Sequence, residues 1–227
     1  MQFIDLSVDM FHGMPNHKAF PNPVILTYKT HEQRAKELGT GFSSYTNYIC
    51  MMDHSGTHVD GTIHFDPKGV PVDAMPLDTF YGPAVCWDLT HIPPKGIIDA
   101  KDLEEAKGKS SVPFQRGDIV LLNTGHHNRT WPKKELWERT HPGLTYEATK
   151  WFFDNNVKIH GVEGPSTDHP DDTSYPNHRA CRDFGITHIE CLANLEKVAD
   201  KRFTFIGFPL KLVGTSGAPL RAVALVG

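Results

Sequence analysis

The chain lacks the features that mark membrane proteins and nucleic-acid-binding proteins. No apolar run approaches the ~20 residues that a helix needs to cross a bilayer, and the Lys and Arg residues are dispersed instead of forming a basic stripe. The formal net charge is −4 with the histidines neutral. Because binding to nucleic acid requires clustered positive charge, we expect neither a nucleic acid nor a membrane among the partners.

Cysteine is scarce, and its spacing indicates neither disulfides nor a redox motif. The four cysteines form no CxxC pair, and the N-terminal Met-Gln-Phe-Ile-Asp carries an early acid without the basic and apolar regions of a secretory signal. We therefore expect reduced thiols and a cytoplasmic protein. Cys181 and Cys191 lie near candidate metal ligands in the sequence, so a thiolate ligand stays open.

Two kinds of catalytic motif are also missing, the phosphate-binding loop and the serine nucleophile elbow. The glycine-containing segment 161–168 lacks both GxxxxGK and GxGxxG, so it is not a phosphate-binding loop. No GxSxG nucleophile elbow occurs, and Gly214-Thr-Ser-Gly217 is an ordinary turn sequence. These absences argue against a nucleotide-dependent enzyme and against a serine hydrolase.

The 227 residues fit one domain, since the sequence shows no internal boundary or repeat. Strands are expected at 3–8, 23–28, 45–52, 84–89, 118–123, 157–162, 187–190, 203–208 and 220–225. Helices are expected at 31–38, after Asp99, after Thr145 and at 180–184. Strands outnumber helices and several connections are too short for a helical crossover. We predict a single α/β domain over residues 1–227, with a mixed, barrel-like β core wrapped by a few helices and the apolar strand 119–122 near its centre.

One short segment concentrates side chains that bind metals. Residues 53–65 read Asp-His-Ser-Gly-Thr-His-Val-Asp-Gly-Thr-Ile-His-Phe, which places His54, His58, Asp60 and His64 in the pattern HxxxHxDxxxH. Neutral imidazole and carboxylate are common protein ligands of Zn²⁺ and Mn²⁺. The segment predicts a divalent metal site and therefore a metal-dependent enzyme.

The spacing of these four side chains requires a bent backbone. On a helix, only His54 and His58 would share a face. On a straight strand all four side chains would leave on one side, but they would be spread over ~3.3 Å per residue. We expect a strand end that runs into a tight loop hinged at Gly56 and Gly61. The alternative is a set of ordinary surface or core histidines.

Later segments carry further candidates. In Gly161-Val-Glu-Gly-Pro-Ser166-Thr-Asp168, the residues Ser166 and Asp168 either line a site beside the substrate or hold an ordinary turn. Glu190 ends a core-like run, and a buried carboxylate needs a cation, a metal or a hydrogen-bond donor. An exposed strand end is the alternative for Glu190.

In this order the segments resemble the motifs of the cyclase-like metal-dependent hydrolase family, which includes bacterial kynurenine formamidase and isatin hydrolase. Residues 54–65 are similar to its HxGTHxDxxxHF motif, and residues 118–125 to its GDxVLxxTG strand. Residues 161–168 resemble its GxDxxSxD segment, and His178 followed by 189–195 resembles its late His and IExLxNL element. Four ordered motifs cover most of the chain.

The resemblance implies a fold and a role for each matching residue. The fold would be a swivelling β/α/β-type domain, assembled as a homodimer or homotetramer. The primary metal ligands would be His54, His58 and Asp60. The catalytic acid/base would be His64. His178 and Glu190 would complete a second metal position or, in members with one ion, line the site, where Glu190 would assist proton transfer.

The expected activity is hydrolysis of a C–N bond in a small amide, aryl formamide or cyclic amide, by a water that one or two ions of Zn²⁺ or Mn²⁺ activate. His64 suits the proton transfers, because an imidazole has an unperturbed pKa near ~6.5. A lactonase or a polyketide-type cyclase using the same site is the enzymatic alternative. A closed structural metal site in a non-enzymatic binding protein is the other alternative.

Substrate contacts are expected from aromatic and polar side chains near the cluster. The expected contact residues are Phe65, Phe20, Ser166 and Asp168. Phe11 and Met52 are further candidates for an apolar pocket, and the resemblance suggests that Met14 and Phe20 reach the site of a neighbouring subunit. The loop 11–21 contains no tryptophan, although kynurenine formamidases carry a substrate-contacting one there. Glu163 replaces a frequent Asp, and Gly61-Thr62 replaces the usual Ala-Pro. The resemblance therefore implies the metal chemistry of the family but does not specify kynurenine formamidase activity.

Overall fold

The chain is built around one curled, mixed β-sheet of nine strands, a half-barrel with helices packed against it. The computed structural model describes residues 1–227. The strands are β1 (Gln2–Asp5), β2 (Val24–Lys29), β3 (Thr46–Cys50), β4 (His58–Asp60), β5 (Tyr81–Asp88), β6 (Ile97–Ile98), β7 (Ile119–Asn123), β8 (Gly143–Leu144), β9 (His160–Val162), β10 (His188–Glu190), β11 (Arg202–Ile206), β12 (Gly217–Pro219) and β13 (Val223–Val226). The helices are α1 (His31–Leu38), α2 (Ala100–Lys109), α3 (His126–Thr130), α4 (Lys134–Arg139), α5 (Tyr146–Asp154) and α6 (Pro176–Phe184).

The nine-stranded sheet is parallel in the middle and antiparallel towards both edges. Its order is β1-β13-β11-β5-β7-β9-β10-β4-β12. Strands β5, β7, β9 and β10 run parallel, whereas β4 pairs antiparallel with β10 and β12. All five residues of β7 are buried, which confirms the prediction that 119–122 form a central strand. The mixed sheet also confirms the predicted fold class.

The two faces of the sheet bury separate apolar clusters. A cluster of 19 buried residues on one face includes Ile119 and Leu121. A cluster of 15 on the other face includes Val120 and Leu122, together with Phe152 of α5. Successive side chains of a strand leave on opposite faces, so β7 contributes to both clusters. This double coverage fixes the position of the parallel strands whose ends carry the site.

Two helices begin where the capping residues predict. The side chain of Asp99 accepts hydrogen bonds from the N–H groups of Lys101 and Asp102, which forms a capping box at the start of α2. Thr145 Oγ1 accepts from the N–H of Ala148 at 3.0 Å and begins α5. The apolar side chains of Leu103 and Ala106 in α2, and of Ala148, Trp151 and Phe152 in α5, are buried.

Strands β2 and β3 form a separate two-stranded hairpin that lies outside the half-barrel. All five residues of β3 are exposed, and α1, which connects the two strands, buries no residue. The alternating pattern at 45–52 predicts a strand correctly, but that strand has no buried face in the isolated chain. It does lead into the histidine-rich segment.

The sequence did not predict the short elements β6, β8, β12, α3 and α4. Other differences lie at the boundaries of elements. The strand expected at 157–162 spans only His160–Val162, and α6 begins at Pro176, earlier than the expected residue 180. Strand β1 ends at Asp5 and the last strand begins at Val223. None of the helices has the length and apolar character needed to span a membrane.

Candidate active site

The histidine-rich segment forms a loop before β4 and then β4 itself. Thr57 Oγ1 donates a hydrogen bond to the carbonyl of Cys191 at 2.6 Å, which ties the loop to the end of β10. Gly56 has φ +67°, a region that costs energy for a residue with a Cβ. Gly61 has φ −74°, so it is not the hinge that the sequence predicts. A Cβ at Gly61 would lie 3.1 Å from the carbonyl oxygen of Val70, so a larger residue there would crowd the neighbouring backbone.

One carboxylate oxygen of Asp60 faces the first group of histidines. Asp60 Oδ1 lies 2.8 Å from His54 Nδ1 and 3.4 Å from His58 Nε2. Neither contact has hydrogen-bond geometry. Asp60 Oδ1 and His58 Nε2 are therefore both buried without a hydrogen-bond partner. Ligand atoms of His54, Asp60 and His64 also lie within 4.8 Å of one another.

The other oxygen of Asp60 faces a second group. Asp60 Oδ2 lies 3.2 Å from His188 Nε2 and 3.7 Å from His178 Nε2. Glu190 Oε1 lies 3.2 Å from His188 Nε2, and Glu190 Oε2 lies 3.5 Å from His58 Nε2. Both carboxylates therefore bridge between two sets of imidazoles. Register explains part of this arrangement, since Glu190 is directly opposite His58 in the β10–β4 pair.

Hydrogen bonds behind the first group set the orientation of its rings. His58 Nδ1 lies 2.8 Å from the carbonyl oxygen of Gly56 and donates to it, so the lone pair is on Nε2. His54 Nε2 lies 2.9 Å from Ser216 Oγ, and that hydroxyl donates to Asp53 Oδ2 at 2.9 Å. His54 therefore presents the lone pair of Nδ1 towards Asp60. Such outer partners fix which nitrogen of a histidine is free to bind a metal.

The second group has its own outer partners. His178 Nδ1 donates to Asp168 Oδ2 at 2.5 Å, which leaves Nε2 directed at Asp60. Glu190 Oε1 accepts from the backbone N–H of Thr167 at 3.1 Å. The segment 161–168 thus serves both of the roles that the sequence leaves open, because it is a turn and it also supports the site.

The donor set fits a divalent cation. Two buried carboxylates, Asp60 and Glu190, lie side by side with imidazole nitrogens around them. Like charges in a low-dielectric environment repel each other unless a cation neutralises them. The unpaired atoms Asp60 Oδ1 and His58 Nε2 are the type of buried polar atom that a metal ion would satisfy. Imidazole and carboxylate together favour zinc or another borderline transition metal.

Without a bound ion, the surroundings shift the pKa values of several site residues, including His64, Glu190 and His178. Burial lowers the pKa of His64 to about 4. Burial alone would raise the pKa of Glu190, but contact with His188 lowers it to about 2. Burial alone would lower the pKa of His178, but its bonds to Asp168 and to Asp60 raise it to about 10. At neutral pH, His64 is therefore neutral and Glu190 is ionised.

A cavity of about 330 Å³ opens above the cluster. Its walls come from three places in the chain: the first loop (His17, Ala19 and Phe20), the turn at 165–166, and Tyr175 at the start of α6. None of its 13 lining residues is Lys or Arg. The nearby Lys18 is turned away and donates to the carbonyl of Pro170.

The structure places most of the predicted site residues at this cavity. The lining includes His54, His58, Asp60, His64, Phe65, Phe20, Ser166, His178 and Glu190. The ring of Phe20 stacks near His54, with centroids 5.9 Å apart. Phe65 lies edge-on to His178, with centroids 6.0 Å apart. The two aromatic rings flank the imidazoles that face the cavity.

Other expected residues lie elsewhere. Asp168 is buried behind His178 and does not line the cavity, because its carboxylate is occupied by His178 and by the N–H of Asn177. Met14 is fully buried in its own chain, in a cluster with Trp137, and is not available to a neighbouring subunit. Phe11 packs against Trp131, with ring centroids 6.1 Å apart. Neither Phe11 nor Met52 lines the cavity.

Sequence reasoning missed His188 as a member of the cluster. The residue is fully buried on β10, and its Nε2 is 3.2 Å from both Asp60 Oδ2 and Glu190 Oε1. A signal was present, since His188 is two residues before Glu190 and alternate residues of a strand share a face. Of the two cysteines considered as ligands, Cys191 lies in the apolar cluster around Met14. Cys181 Sγ faces the other nitrogen of His188, at 3.5 Å.

Comparison with known proteins places the chain in a family. The family described as "Putative cyclase" matches residues 4–169, which is most of the chain. A kynurenine formamidase of Salinibacter ruber is 33% identical over 173 residues, covering 76% of this chain and 76% of that protein. The chain belongs to the cyclase family.

Solved structures share the whole fold. A potential metal-dependent hydrolase with cyclase activity superposes with a TM-score of 0.76 at 25% identity, covering 98% of this chain and 96% of the other. An isatin hydrolase bound to the product analogue thioisatinate gives a TM-score of 0.87 at 19% identity, over 99% of this chain and 92% of the other. The latter likeness establishes the fold alone.

Proposed function

We propose that the chain is a metal-dependent hydrolase that cleaves a C–N bond of a small amide, an aryl formamide or a cyclic amide. The observation that carries the proposal is the set of converging imidazoles and carboxylates on the floor of an open cavity, with His58 Nε2 and Asp60 Oδ1 buried and unpaired. The formamidase relative and the structure described as a potential metal-dependent hydrolase support the same chemistry.

The proposed ion is Zn²⁺ or Mn²⁺, because imidazole and carboxylate ligands suit both. The first position would be held by His54, His58 and Asp60. The second would be completed by His178 and Glu190, with Asp60 shared. A bound ion would lower the pKa of a coordinated water from about 15.7 towards ~7 and would polarise the carbonyl of the substrate.

His64 is the proposed acid/base. Its ring centroid is 4.2 Å from that of His54, and its side chain is 30% exposed on the cavity wall. Because burial lowers its pKa to about 4, the ring is neutral at neutral pH and can accept the proton of the attacking water. The resulting imidazolium is a strong acid, so it can return that proton to the amide nitrogen, which leaves poorly unless protonated.

Glu190 has two proposed roles that depend on the number of ions. With two ions it is a ligand through the oxygens that face His58 and His188. With one ion its ionised carboxylate is free to assist proton transfer at the cavity floor, since it lines the cavity. In the metal-free protein, contact with His188 lowers the pKa of Glu190 to about 2, so Glu190 is a carboxylate before any ion binds.

The cavity favours an uncharged substrate with a flat aromatic part. Phe20 and Phe65 stand on its walls, and Ser166 supplies a polar group. The absence of Lys and Arg from the lining argues against recognition of a carboxylate, which usually takes an Arg or Lys partner. The first loop contributes His17 and Phe20 to the cavity wall. An aryl formamide or a fused cyclic amide therefore suits the cavity.

Two alternatives use the same atoms. A lactonase or polyketide-type cyclase would need the same activated water or polarised carbonyl, and the cyclase activity ascribed to one structural neighbour supports it. A closed structural metal site in a binding protein would not need the neighbouring cavity and the partly exposed His64. Structural zinc sites are usually closed by four protein ligands.

We also propose that the protein assembles as a homodimer or homotetramer. The β2–β3 hairpin exposes Leu26, Tyr48 and Ile49, each at least half exposed. A two-stranded hairpin is marginally stable by itself in water, and α1 buries nothing against it. A second copy is the proposed cover, because the exposed apolar side chains of the hairpin have no partner in this chain and the hairpin follows the loop that carries Phe20, a residue of the cavity wall.

The cytoplasm is the proposed location. All four cysteines are free in the structure, namely Cys50, Cys86, Cys181 and Cys191. Free thiols suit a reducing compartment, where disulfides do not accumulate. The lining of the cavity contains carboxylates and no Lys or Arg, so it suits the expected small-molecule partner and not a nucleic acid.

The decisive experiment is a substrate panel with metal-loaded protein. The panel holds an aryl formamide, N-formylkynurenine, isatin and an aryl lactone, each assayed with Zn²⁺ and with Mn²⁺ before and after chelation. We expect hydrolysis of the aryl formamide or of the cyclic amide, loss of activity with chelator, and recovery when metal is returned.

The panel separates the proposals. Turnover of the lactone alone would favour the lactonase alternative. Metal-loaded protein that turned over no amide, formamide or lactone would contradict the proposed hydrolase function and favour a binding protein. Turnover that persisted unchanged after complete removal of the metal would contradict the metal-dependent chemistry.

A further inference from the structure

We propose that His188 is a fourth protein ligand of the second metal position. The inference rests on the proposed function in one respect, that the chain binds divalent ions at Asp60. It goes beyond the proposed ligand set, which contains His178 and Glu190 but not His188. The ligand atoms of Asp60, His178, His188 and Glu190 all lie within 4.8 Å of one another.

The distances around His188 match the edges of a tetrahedral site. A zinc ion with bonds of ~2.0–2.1 Å to nitrogen and oxygen has ligand atoms about 3.3 Å apart. His188 Nε2 is 3.2 Å from Asp60 Oδ2 and 3.2 Å from Glu190 Oε1. His178 Nε2 is 3.7 Å from Asp60 Oδ2. Three of the six separations are thus close to the tetrahedral value, and the ligand atoms of all four residues lie within 4.8 Å of one another.

The second nitrogen of His188 has a partner, the thiol of Cys181, that can accept its proton. The hydroxyl of Thr167 lies 3.5 Å from Nε2 of His188 but donates its own hydrogen to Asn177 Oδ1. His188 Nδ1 lies 3.5 Å from Cys181 Sγ, and that thiol in turn lies 3.7 Å from Asn177 Oδ1. A neutral imidazole has one donor nitrogen and one acceptor nitrogen. If Nδ1–H donates to the sulfur while S–H donates to the amide oxygen, Nε2 carries the lone pair and faces the carboxylates. This is the orientation that a metal ligand requires.

A second group of possible metal ligands lies on the other side of the His188 ring, and it is less suited to holding an ion. His160, Cys181 and His188 also group within 4.8 Å of one another. His160 Nε2 is already 3.3 Å from the amide nitrogen of Asn177, which can donate to it. This contact takes up the lone pair that a metal would need, and no carboxylate completes that group. The metal position thus lies on the side of Asp60.

The alternative role for His188 is that of a permanent internal cation. Protonated at Nε2, it would pair with Asp60 and Glu190 and take the place of the second ion. The two roles exclude each other, because Nε2 holds either a proton or a metal. They also predict different stoichiometries: two ions per chain if His188 is a ligand, and one if it is the cation.

With His188 as a ligand, the two metal positions would have different roles in the chemistry. Four protein ligands close a tetrahedral zinc site, whereas three leave a place for water. The second position would be closed by His188, so the water would bind at the first position. That position has the three ligands His54, His58 and Asp60, with the ring of His64 4.2 Å from that of His54.

The test measures zinc binding, with His188→Gln compared with wild type and with His160→Gln as the matched control. His160 is as deeply buried as His188, with ring centroids 5.5 Å apart, but it does not contact the carboxylates. Zinc content by elemental analysis and affinity by chelator competition are measured on metal-free protein that is refilled, with circular dichroism to confirm folding.

We expect two zinc ions per chain in wild type and in His160→Gln. In His188→Gln the first ion should bind as before and the second at least ~10-fold more weakly, since loss of even an outer partner of a metal ligand has that effect. Equal affinity for the second ion in wild type and His188→Gln would overturn the proposal, as would wild type that holds only one ion.

A measurement on wild type keeps the inference testable if the variant fails to fold. The visible spectrum of protein filled with Co²⁺ distinguishes four-coordinate cobalt, which absorbs strongly, from six-coordinate cobalt, which absorbs weakly. We expect a strong four-coordinate band as the second ion binds, and only weak absorption would overturn the proposal. Protein that bound a first ion and hydrolysed an amide, but failed this test, would leave the proposed function standing. Protein that bound no ion would overturn both.

Discussion

Asp168 lies directly behind His178, with Oδ2 of the carboxylate accepting a hydrogen bond from Nδ1 of the ring at 2.5 Å. The opposite nitrogen of the same ring is 3.7 Å from Asp60 Oδ2, inside the cluster. The backbone N–H of Asn177 donates to Asp168 Oδ1 at 2.6 Å and holds the carboxylate in place. Asp168 is therefore a positioning residue that acts through His178, since it is buried away from the cavity.

This relationship predicts the effect of Asp168→Asn on metal binding. The amide removes the negative charge that orients His178, so we expect affinity for the second ion to fall ~10–100-fold while the first ion is retained. Chelator competition on refilled protein measures both ions. The control is Asp171→Asn, a nearby exposed carboxylate that pairs with Lys95 and should change neither affinity. Equal loss of both ions would show that the variant had disturbed the whole site.

The hydrogen bond between His178 and Asp168 also predicts how the stability of the metal-free protein depends on pH. The folded pKa of His178 is about 10, above the ~6.5 of an unfolded chain. The stabilisation is therefore fully present below pH ~6.5 and is lost as the pH rises towards 10. We expect the difference in free energy of unfolding between wild type and Asp168→Asn to be larger at pH 6 than at pH 10. Urea unfolding at both values measures it, and an equal difference would contradict the pairing.

His64 should be needed for turnover and dispensable for the metal. We expect His64→Gln to lower kcat by ~10²–10⁴-fold, the usual contribution of a positioned acid/base. Elemental analysis should find the metal content unchanged, because the first position keeps His54, His58 and Asp60. The control His127→Gln lies outside the cavity lining and should behave as wild type. Normal turnover in His64→Gln would show that another group moves the proton, and loss of metal would show that His64 is a ligand.

The exposed hairpin should govern assembly. Leu26 and Tyr48 are directly paired across β2 and β3 and are 50% and 58% exposed. A double change of both to Asp places charge where the proposed second copy packs, so we expect the mass measured by light scattering to fall from that of an oligomer to that of a monomer. Val213→Asp is the matched control, since Val213 is 81% exposed on another part of the chain. A wild-type protein that is monomeric at every concentration would contradict the proposed assembly.

Local sequence determines the parts of this protein that depend on neighbouring residues. The pattern of 54–64 brings His54, His58 and Asp60 together because one strand end and one bend at Gly56 suffice. The apolar run of β7 identifies the centre of the sheet, since only a strand covered on both faces can be apolar throughout. The caps at Asp99 and Thr145 begin helices through bonds that span only a few residues.

Tertiary structure alone decided the rest. His188 reads as one more scattered histidine until the parallel pairing of β9 with β10 and the antiparallel pairing of β10 with β4 bring it against Asp60. Asp168 reads as a substrate contact until α6 turns His178 towards it. The alternation of β3 predicts a strand but not that both of its faces are exposed. Each of these depends on which distant segments pack together, and the energy of that packing is not encoded in any local pattern.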